Sequence, residues 1–362
     1  MTTTAFELLL VGFGHVAQRF VALLEEQRTA LSDRGVAARV VGIVTRRHGR
    51  VSAPEGVDAV SLAATVERGE SIGGAHDARP VGQFIANVAS RSAAAADGRL
   101  VVMETTALDI MDGHPAIDHV RLGLMYGAHV ITTNKGPVAF AYRQLARAAA
   151  QAGRRFLFEG TVMDGIPVFN LFRETLPTVT VRGFRGVVNS TTNHILTEME
   201  RGVAFDVALR AMQEAGIAEA DPSLDVDGWD AAAKTAAIVN VLLDGELTPQ
   251  AVARKGLCSD SGDRAQEALT RGRRLKLVAK ASREKDVISA SVGLEELSRD
   301  DLLACLKGQQ NAIVFDTDPL GEIAIVQCGG GLTQTAYALL SDLVAIRKNA
   351  TSGGPFRAAE AD

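Results

Sequence analysis

Cysteine is scarce in this 362-residue chain: Cys258, Cys305 and Cys328 are the only three, and they share no metal-binding or redox spacing. That pattern reads as reduced thiols in a cytoplasmic protein. Excess charge is also lacking. A net charge of -5 gives no sign of a nucleic-acid or membrane partner. No apolar run is long enough to span a membrane. The N-terminus "MTTTAFELLLVGFG" lacks the charged region and cleavage site of a signal peptide. What is present is 47% hydrophobic residues, 35 glycines and 22% charged residues. This is the composition of a compact soluble α/β protein, and the length suggests two domains or one large one.

Apolar runs at Phe6–Val11, Arg39–Val44, Arg99–Glu104 and His129–Asn134 are separated by helical spacing such as Val16, Phe20, Leu23 and Leu24. Continuous apolar runs of this kind predict buried parallel strands. Right-handed crossovers then build a doubly wound parallel sheet. Residues 71–98 are expected to form helices and loops at the sheet edge, and Gly136–Gly153 a helix ending on a glycine. The first domain is placed at residues 1–153 and a second at 154–330. In the second, Val179–Val188 and Asp286–Leu294 alternate, and Asn311–Cys328 reads as a hairpin turning at Pro-Leu-Gly. An α+β domain with a mixed or antiparallel sheet is expected there. A last helix over 331–350 is expected to return to the first domain, followed by a fraying tail at 351–362.

"VGFGHVAQ" carries Gly12, Gly14 and Ala17 in G-x-G-x-x-A spacing between strand and helix. Such a loop cradles a dinucleotide pyrophosphate at a helix N-terminus. The residues Gly12, Phe13, Gly14, His15 and Val16 are assigned to cofactor binding. The alternative is a glycine turn in a similar fold that binds something else. The imidazoles of His15 and His48 read as ordinary loop side chains. Where an NAD site usually has an acid, the second strand runs into Arg46 and Arg47. Arginines there can hold a 2′-phosphate, favouring NADP over NAD; a solvated basic loop is the other reading.

Lys135 in "TTNKGP" follows a strand, at the carboxyl edge of the sheet where ligands bind, and sits at a helix start that the dipole makes unfavourable for a cation. "EADPSLDVDGWDAAAK" crowds Glu219, Asp221, Asp225, Asp227 and Asp230 ahead of Lys234. Asp230 and Lys234 share a helix face, with Asp227 as a candidate N-cap and Asp230 at N3. A cap and a salt bridge explain part of the stretch. They leave Glu219, Asp221 and Asp225 without a purpose.

In order along the chain, "GFGHVA", "ETTALD", "TTNKGPVA", "EGTVMDGIPV", "GVVNSTTNHIL", "AEADPSLDVDGWDAAAK" and "GGGLTQTA…SDL" resemble homoserine dehydrogenases over residues 6–348. The resemblance implies a Rossmann domain and a dimerising substrate domain, usually in a homodimer. It implies NAD(P)-dependent interconversion of L-aspartate 4-semialdehyde and L-homoserine, in threonine and methionine biosynthesis. By motif, Lys234 is the proton donor and acceptor at the substrate oxygen, and Lys135 a second lysine near nicotinamide and substrate. Glu219, Asp225 and Asp230 hold the substrate, Glu219 and Asp230 partly through its ammonium group. Thr105, Gly216 and Gly331 touch the cofactor. Glu159, Val162, Asp164 and Ile166 form a loop for a monovalent cation, Na+ or K+, bound mostly through carbonyls. "NSTTNHIL" lines the substrate cleft at a helix N-terminus. Ala17, Arg46, Met163, Asp164, Ser190 and His194 depart from the commoner family residues. No room remains for the ACT-type regulatory domain of many relatives, so feedback by threonine through one is not expected. A dehydrogenase of another small amino acid or aldehyde, and a non-catalytic dinucleotide sensor, are the competing readings.

Overall fold

The structure, a computed structural model, describes residues 3–73, 80–214 and 221–352, with side chains through Lys348. It divides into two compact units, Met1–Ile166 with Gly331–Asp362, and Pro167–Gly330.

The first unit is built on six strands: β1 (Thr4–Val11), β2 (Val36–Val44), β3 (Arg50–Ser52), β4 (Leu100–Glu104), β5 (His129–Thr132) and β6 (Phe156–Leu157), in the order β3-β2-β1-β4-β5-β6. All neighbours are parallel except β3, which pairs antiparallel with β2. The turn at Thr45–Gly49, closed by Thr45 N–H donating to the Gly49 carbonyl at 2.9 Å, is too short for the crossover a parallel pair needs. β4 and β5 are buried at every residue. Helices on both faces exclude water from them, which is why Leu100–Met103 and Val130–Ile131 are apolar.

Helix Val81–Arg91 buries Phe84, Ile85, Val88 and Ala89. It packs on β1 and β2, so this part of 71–98 covers the sheet face, where an edge position was expected. Residues 74–79 lie outside the described residues. The last helix, Leu332–Ser352, joins this unit by burying Ala336, Leu339, Leu340, Leu343 and Ile346 in the same core as Phe6, Leu8 and Phe20. It packs along helix His15–Glu26. Its Asp342 is fully buried, and Oδ2 accepts the Glu159 N–H at 2.9 Å. A charge taken out of water needs such donors. The expected boundary at residue 153 falls before β6, which belongs to this sheet.

The second unit holds β7 (Thr180–Val187), β8 (Ala253–Arg254), β9 (Arg273–Glu284), β10 (Val287–Ser298), β11 (Asn311–Asp318) and β12 (Gly321–Gln327), in the order β12-β11-β7-β9-β10-β8. Only β8 and β10 run parallel, so the sheet is mixed. β11 and β12 form the expected hairpin. Helices Ser190–Met199, Trp229–Leu242 and Ser261–Thr270 pack on β9. A groove of about 530 Å³ crosses the sheet, lined by Arg185, Lys280, Ser282, Ser291, Val314 and Asp316 among others. No helix among the described residues is long and apolar enough to cross a membrane.

Candidate active site

In the first unit the polar side chains gather at the carboxyl ends of β1, β4 and β5. Gly12 has φ +90°, and a Cβ there would stand 2.8 Å from the Thr105 carbonyl. Only glycine fits both the turn and the close approach. Gly14 caps helix His15–Glu26 with open space around it: nothing lies within 4 Å of where a Cβ would be. The main-chain N–H groups of the first helical turn need acceptors from outside the helix. The loop therefore fits a pyrophosphate. Within it Phe13 and Ala17 are buried, Val16 is half-buried, and His15 faces solvent. Ala17 allows the close helix–sheet packing that the motif's third position requires.

β1 lies between β2 and β4, and the chain leaves it in opposite directions at this point, which makes a crevice at the carboxyl edge. Thr105 spans it, donating its N–H to Val11 at 2.8 Å and its hydroxyl to the Gly12 carbonyl at 3.2 Å. Beside it, Glu104 is fully buried and accepts from Thr106 N–H at 3.1 Å and Thr132 Oγ1 at 2.9 Å. His119 Nδ1 stands 3.5 Å from the same carboxylate, within ion-pair range but not aligned as a hydrogen bond. Asn134 ties the next loop in. Its Nδ2 donates to the Thr106 and Ala107 carbonyls at 3.0 and 3.1 Å, and its Oδ1 accepts Gly136 N–H at 2.9 Å. That side chain caps helix Lys135–Gln151, so half-buried Lys135 opens the helix from a rigid loop. Arg46 and Arg47 are exposed at the end of β2.

The loop proposed for a cation turns through the short helical stretch Glu159–Thr161. Glu159, Val162 and Met163 are buried, and Asp164 has φ +51°. Asp164 Oδ1 accepts from Thr335 Oγ1 at 3.0 Å, and Ile166 N–H from the same loop donates to the Met163 carbonyl at 2.9 Å. Gly331 opens the last helix by accepting the Gln334 N–H at 3.0 Å. No group of three or more His, Cys, Asp or Glu suited to a metal occurs among the described residues.

In the second unit the acid-rich stretch closes on helix Ser190–Met199. Asn189, 5% exposed, ends the extended segment after β7 and caps that helix. Its Oδ1 accepts Thr192 N–H at 2.9 Å, while its Nδ2 donates to Asp225 Oδ1 at 2.7 Å and to Asp230 Oδ2 at 3.0 Å. Lys234 Nζ lies 3.0 Å from Asp230 Oδ2 and donates to the Val188 carbonyl at 2.7 Å. The Asp230 and Lys234 side chains are 15% and 14% exposed. Burial raises the Asp225 carboxyl above the ordinary carboxylate range and the nearby Asp230 charge adds to the rise, while hydrogen bonds from Asn189 and Thr191 and the Lys234 charge pull it back. The structure thus brings Asp225, Asp230 and Lys234 together, with two carboxylates facing one ammonium.

Asp227 does not cap helix Trp229–Leu242. The cap is Gly228 at φ +80°, and Asp227 instead closes the turn Ser223–Val226. Its carbonyl accepts from Arg254, whose guanidinium stacks 3.7 Å over the Trp229 ring. The left-handed turn needed at residue 228 suits glycine and rules out the capping-box geometry. Asp221 stays apart at the surface, accepting Ser223 N–H at 3.0 Å. Glu219 and Gly216 lie outside the described residues. The sequence reading missed Asn189 and Asn134. An N-cap signal marks each, but their second bonds run to residues remote in sequence.

A family model described as "Homoserine dehydrogenase" matches residues 167–344, and one described as "Homoserine dehydrogenase, NAD binding domain" matches residues 12–159. The chain is 38% identical over 351 residues to an NAD(+)-dependent homoserine dehydrogenase of Pseudomonas canavaninivorans, covering 96% of this chain and 98% of that one. It is 31% identical to a homoserine dehydrogenase of Methanocaldococcus jannaschii, covering 94% and 98%. A homoserine dehydrogenase structure from Thiobacillus denitrificans matches with TM-score 0.79 at 26% identity, over 97% of this chain and 75% of that one. With family models matching both units and relatives alike over nearly their whole length, the chain belongs to the homoserine dehydrogenase family.

Proposed function

We propose that this protein is an NAD(P)-dependent homoserine dehydrogenase, interconverting L-homoserine and L-aspartate 4-semialdehyde. The observation that carries the reading is the Asp225–Asp230–Lys234 cluster, joined to a family-wide match. Two carboxylates and one lysine gathered at one point suit a substrate that carries both an ammonium group and a hydroxyl. An amino-acid substrate brings an ammonium group that the carboxylates can bind, which a plain aldehyde or alcohol does not.

The glycine loop fits the dinucleotide: Gly12 and Gly14 admit the pyrophosphate, with Phe13, His15, Val16, Thr105 and Gly331 around it. The bound nicotinamide supplies the hydride acceptor or donor. Lys234 takes the hydroxyl proton as homoserine is oxidised, and returns one to the oxygen as the aldehyde is reduced. Its bond to Val188 O and its pairing with Asp230 fix the amine in one place, as proton transfer requires. Lys135 serves the nicotinamide end from its own sheet edge. Glu219 keeps the substrate-binding role, and Gly216 the cofactor contact, that their motif implies.

NADP is the preferred cofactor in this reading, because Arg46 and Arg47 stand exposed where an acid would favour the free ribose. The relative named above as NAD(+)-dependent argues for NAD as well, so both are accepted. Glu159, Val162, Asp164 and Ile166 hold Na+ or K+ mainly through main-chain carbonyls, in a loop whose first half is buried and whose second half is half-buried. A second copy of the chain covers the groove across β7, β9, β10, β11 and β12, giving a cytoplasmic homodimer.

The experiment is spectrophotometric: protein, homoserine and NADP or NAD at alkaline pH, following the reduced cofactor. Turnover with homoserine supports the reading, and none with either cofactor overturns it. Sedimentation tests the dimer, and added K+ or Na+ after desalting tests the cation.

A further inference from the structure

Asn189 uses every hydrogen-bonding position it has. Its Oδ1 accepts from Thr192 N–H and from Thr192 Oγ1, each at 2.9 Å. Its two amide hydrogens go to Asp225 at 2.7 Å and Asp230 at 3.0 Å. The amide orientation is therefore not free: the backbone N–H of residue 192 demands the oxygen, so the NH2 must face the acids. The two carboxylates stand 36 and 41 residues away in sequence. They come from the short turn Ser223–Val226 and from helix Trp229–Leu242. Left to themselves, like charges this close repel. A shared neutral donor binds both and adds no charge of its own. Because both acceptors take hydrogens from one planar NH2 group, their separation and angle are set by that group.

Resting on the reading that Asp225, Asp230 and Lys234 act on homoserine, we propose that Asn189 is a positioning residue. Its one amide group holds Asp225 and Asp230 in register with each other and with Lys234, and so shapes the receptor for the substrate ammonium. Helix capping alone does not need an amide. Serine and aspartate cap as well as asparagine, but serine is too short to bridge the acids and aspartate has no hydrogens to give them.

That difference supplies the test. Asn189→Ser and Asn189→Asp both keep a cap on helix Ser190–Met199. If Asn189 only caps, Asn189→Ser resembles the parent and Asn189→Asp loses stability without a selective change in KM for homoserine. If it positions the acids, KM for homoserine rises at least tenfold in Asn189→Ser and further in Asn189→Asp, where a third carboxylate joins the cluster. KM for the cofactor stays within twofold in both variants, and the melting temperature stays within a few degrees in Asn189→Ser but falls in Asn189→Asp, where the third carboxylate meets two others. Homoserine kinetics within twofold of the parent in Asn189→Ser would overturn the proposal. So would a joint rise of both KM values with a large loss of melting temperature, which marks general damage.

A second readout does not depend on turnover. The carboxylate carbon of Asp225 is followed by NMR through a pH titration in the unmodified chain and in Asn189→Ser. The groups facing it are Asp230 and Lys234 from one helix and Asn189 and Thr191 from the other. Losing the Asn189 bond should move the Asp225 titration upward, and no movement overturns the bridge. If the parent chain turns over no homoserine, the functional reading fails while this titration still decides the bridge.

Discussion

Lys234 Nζ and Asp230 Oδ2 stand 3.0 Å apart on adjacent turns of one helix, with both side chains largely out of water. The pair holds the lysine at a fixed point and keeps its charge compensated. Asp230→Asn preserves the shape and removes the charge. It should lower kcat/KM for homoserine about tenfold to a hundredfold, the range expected when a charged hydrogen bond worth about 1.5–3 kcal/mol is lost. Steady-state kinetics check this, with the cofactor KM as the internal control.

Asp225 carries a cost to the fold, for which the proposed substrate-binding role accounts. Its carboxyl is raised, first by burial and then by Asp230. A raised carboxyl favours the fold below the unfolded value of 3.8, and that contribution is lost as pH rises through the folded value. At neutral pH its ionised form therefore works against stability. Asp225→Asn should leave the melting temperature at pH 7 unchanged or higher, while KM for homoserine rises at least tenfold. In the parent, KM should climb as pH falls through a value above 3.8, and the variant should lose that inflection. Calorimetry and a pH series of KM measure the two effects.

His129 gives an acid-sensitivity unrelated to catalysis. Its Nδ1 accepts Arg155 N–H at 2.8 Å, so Nε2 carries the proton toward the Gly98 carbonyl at 3.0 Å. Burial, with the Arg154 charge, lowers its pKa to about 4 from 6.5. The neutral form is the one the fold accepts. Its stabilisation is present above pH 6.5 and is lost as pH falls toward about 4. The shift bounds the effect at about 3 kcal/mol. His129→Asn keeps an acceptor for Arg155 and cannot titrate, so denaturant unfolding of the variant should show a shallower loss between those pH values.

Arg46 and Arg47 test the cofactor reading. Both are exposed at the end of β2. Replacing both with alanine should raise KM for NADP about tenfold or more and leave KM for NAD within twofold, since only the 2′-phosphate loses a partner. An equal change for both cofactors would assign the arginines to the surface alone.

Much of this was legible in the sequence where local pattern and tertiary setting agree. The apolar runs became β1, β2, β4 and β5 because strands covered on both faces are built mainly from apolar residues. The Asp230–Lys234 pair followed from helical spacing alone. The capping box at Asp227 failed because the short turn Ser223–Val226 meets helix Trp229–Leu242 there, and the left-handed turn at Gly228 separates them. β3 escaped notice as a three-residue edge strand with too few positions to show a period. The bridge at Asn189 was invisible for another reason: its cap is a local signal, but the two acids it joins are brought to it only by the fold.

The central claim is that Lys234 moves the proton of the homoserine hydroxyl. The most direct measurement compares homoserine-dependent cofactor reduction by the parent and by Lys234→Ala across pH 7 to 10, with cofactor binding followed by fluorescence. General acid–base catalysis contributes about 100-fold to 10,000-fold. The variant should therefore lose at least 100-fold in kcat while binding the cofactor as tightly as the parent. A variant that keeps a near-normal rate would contradict the account.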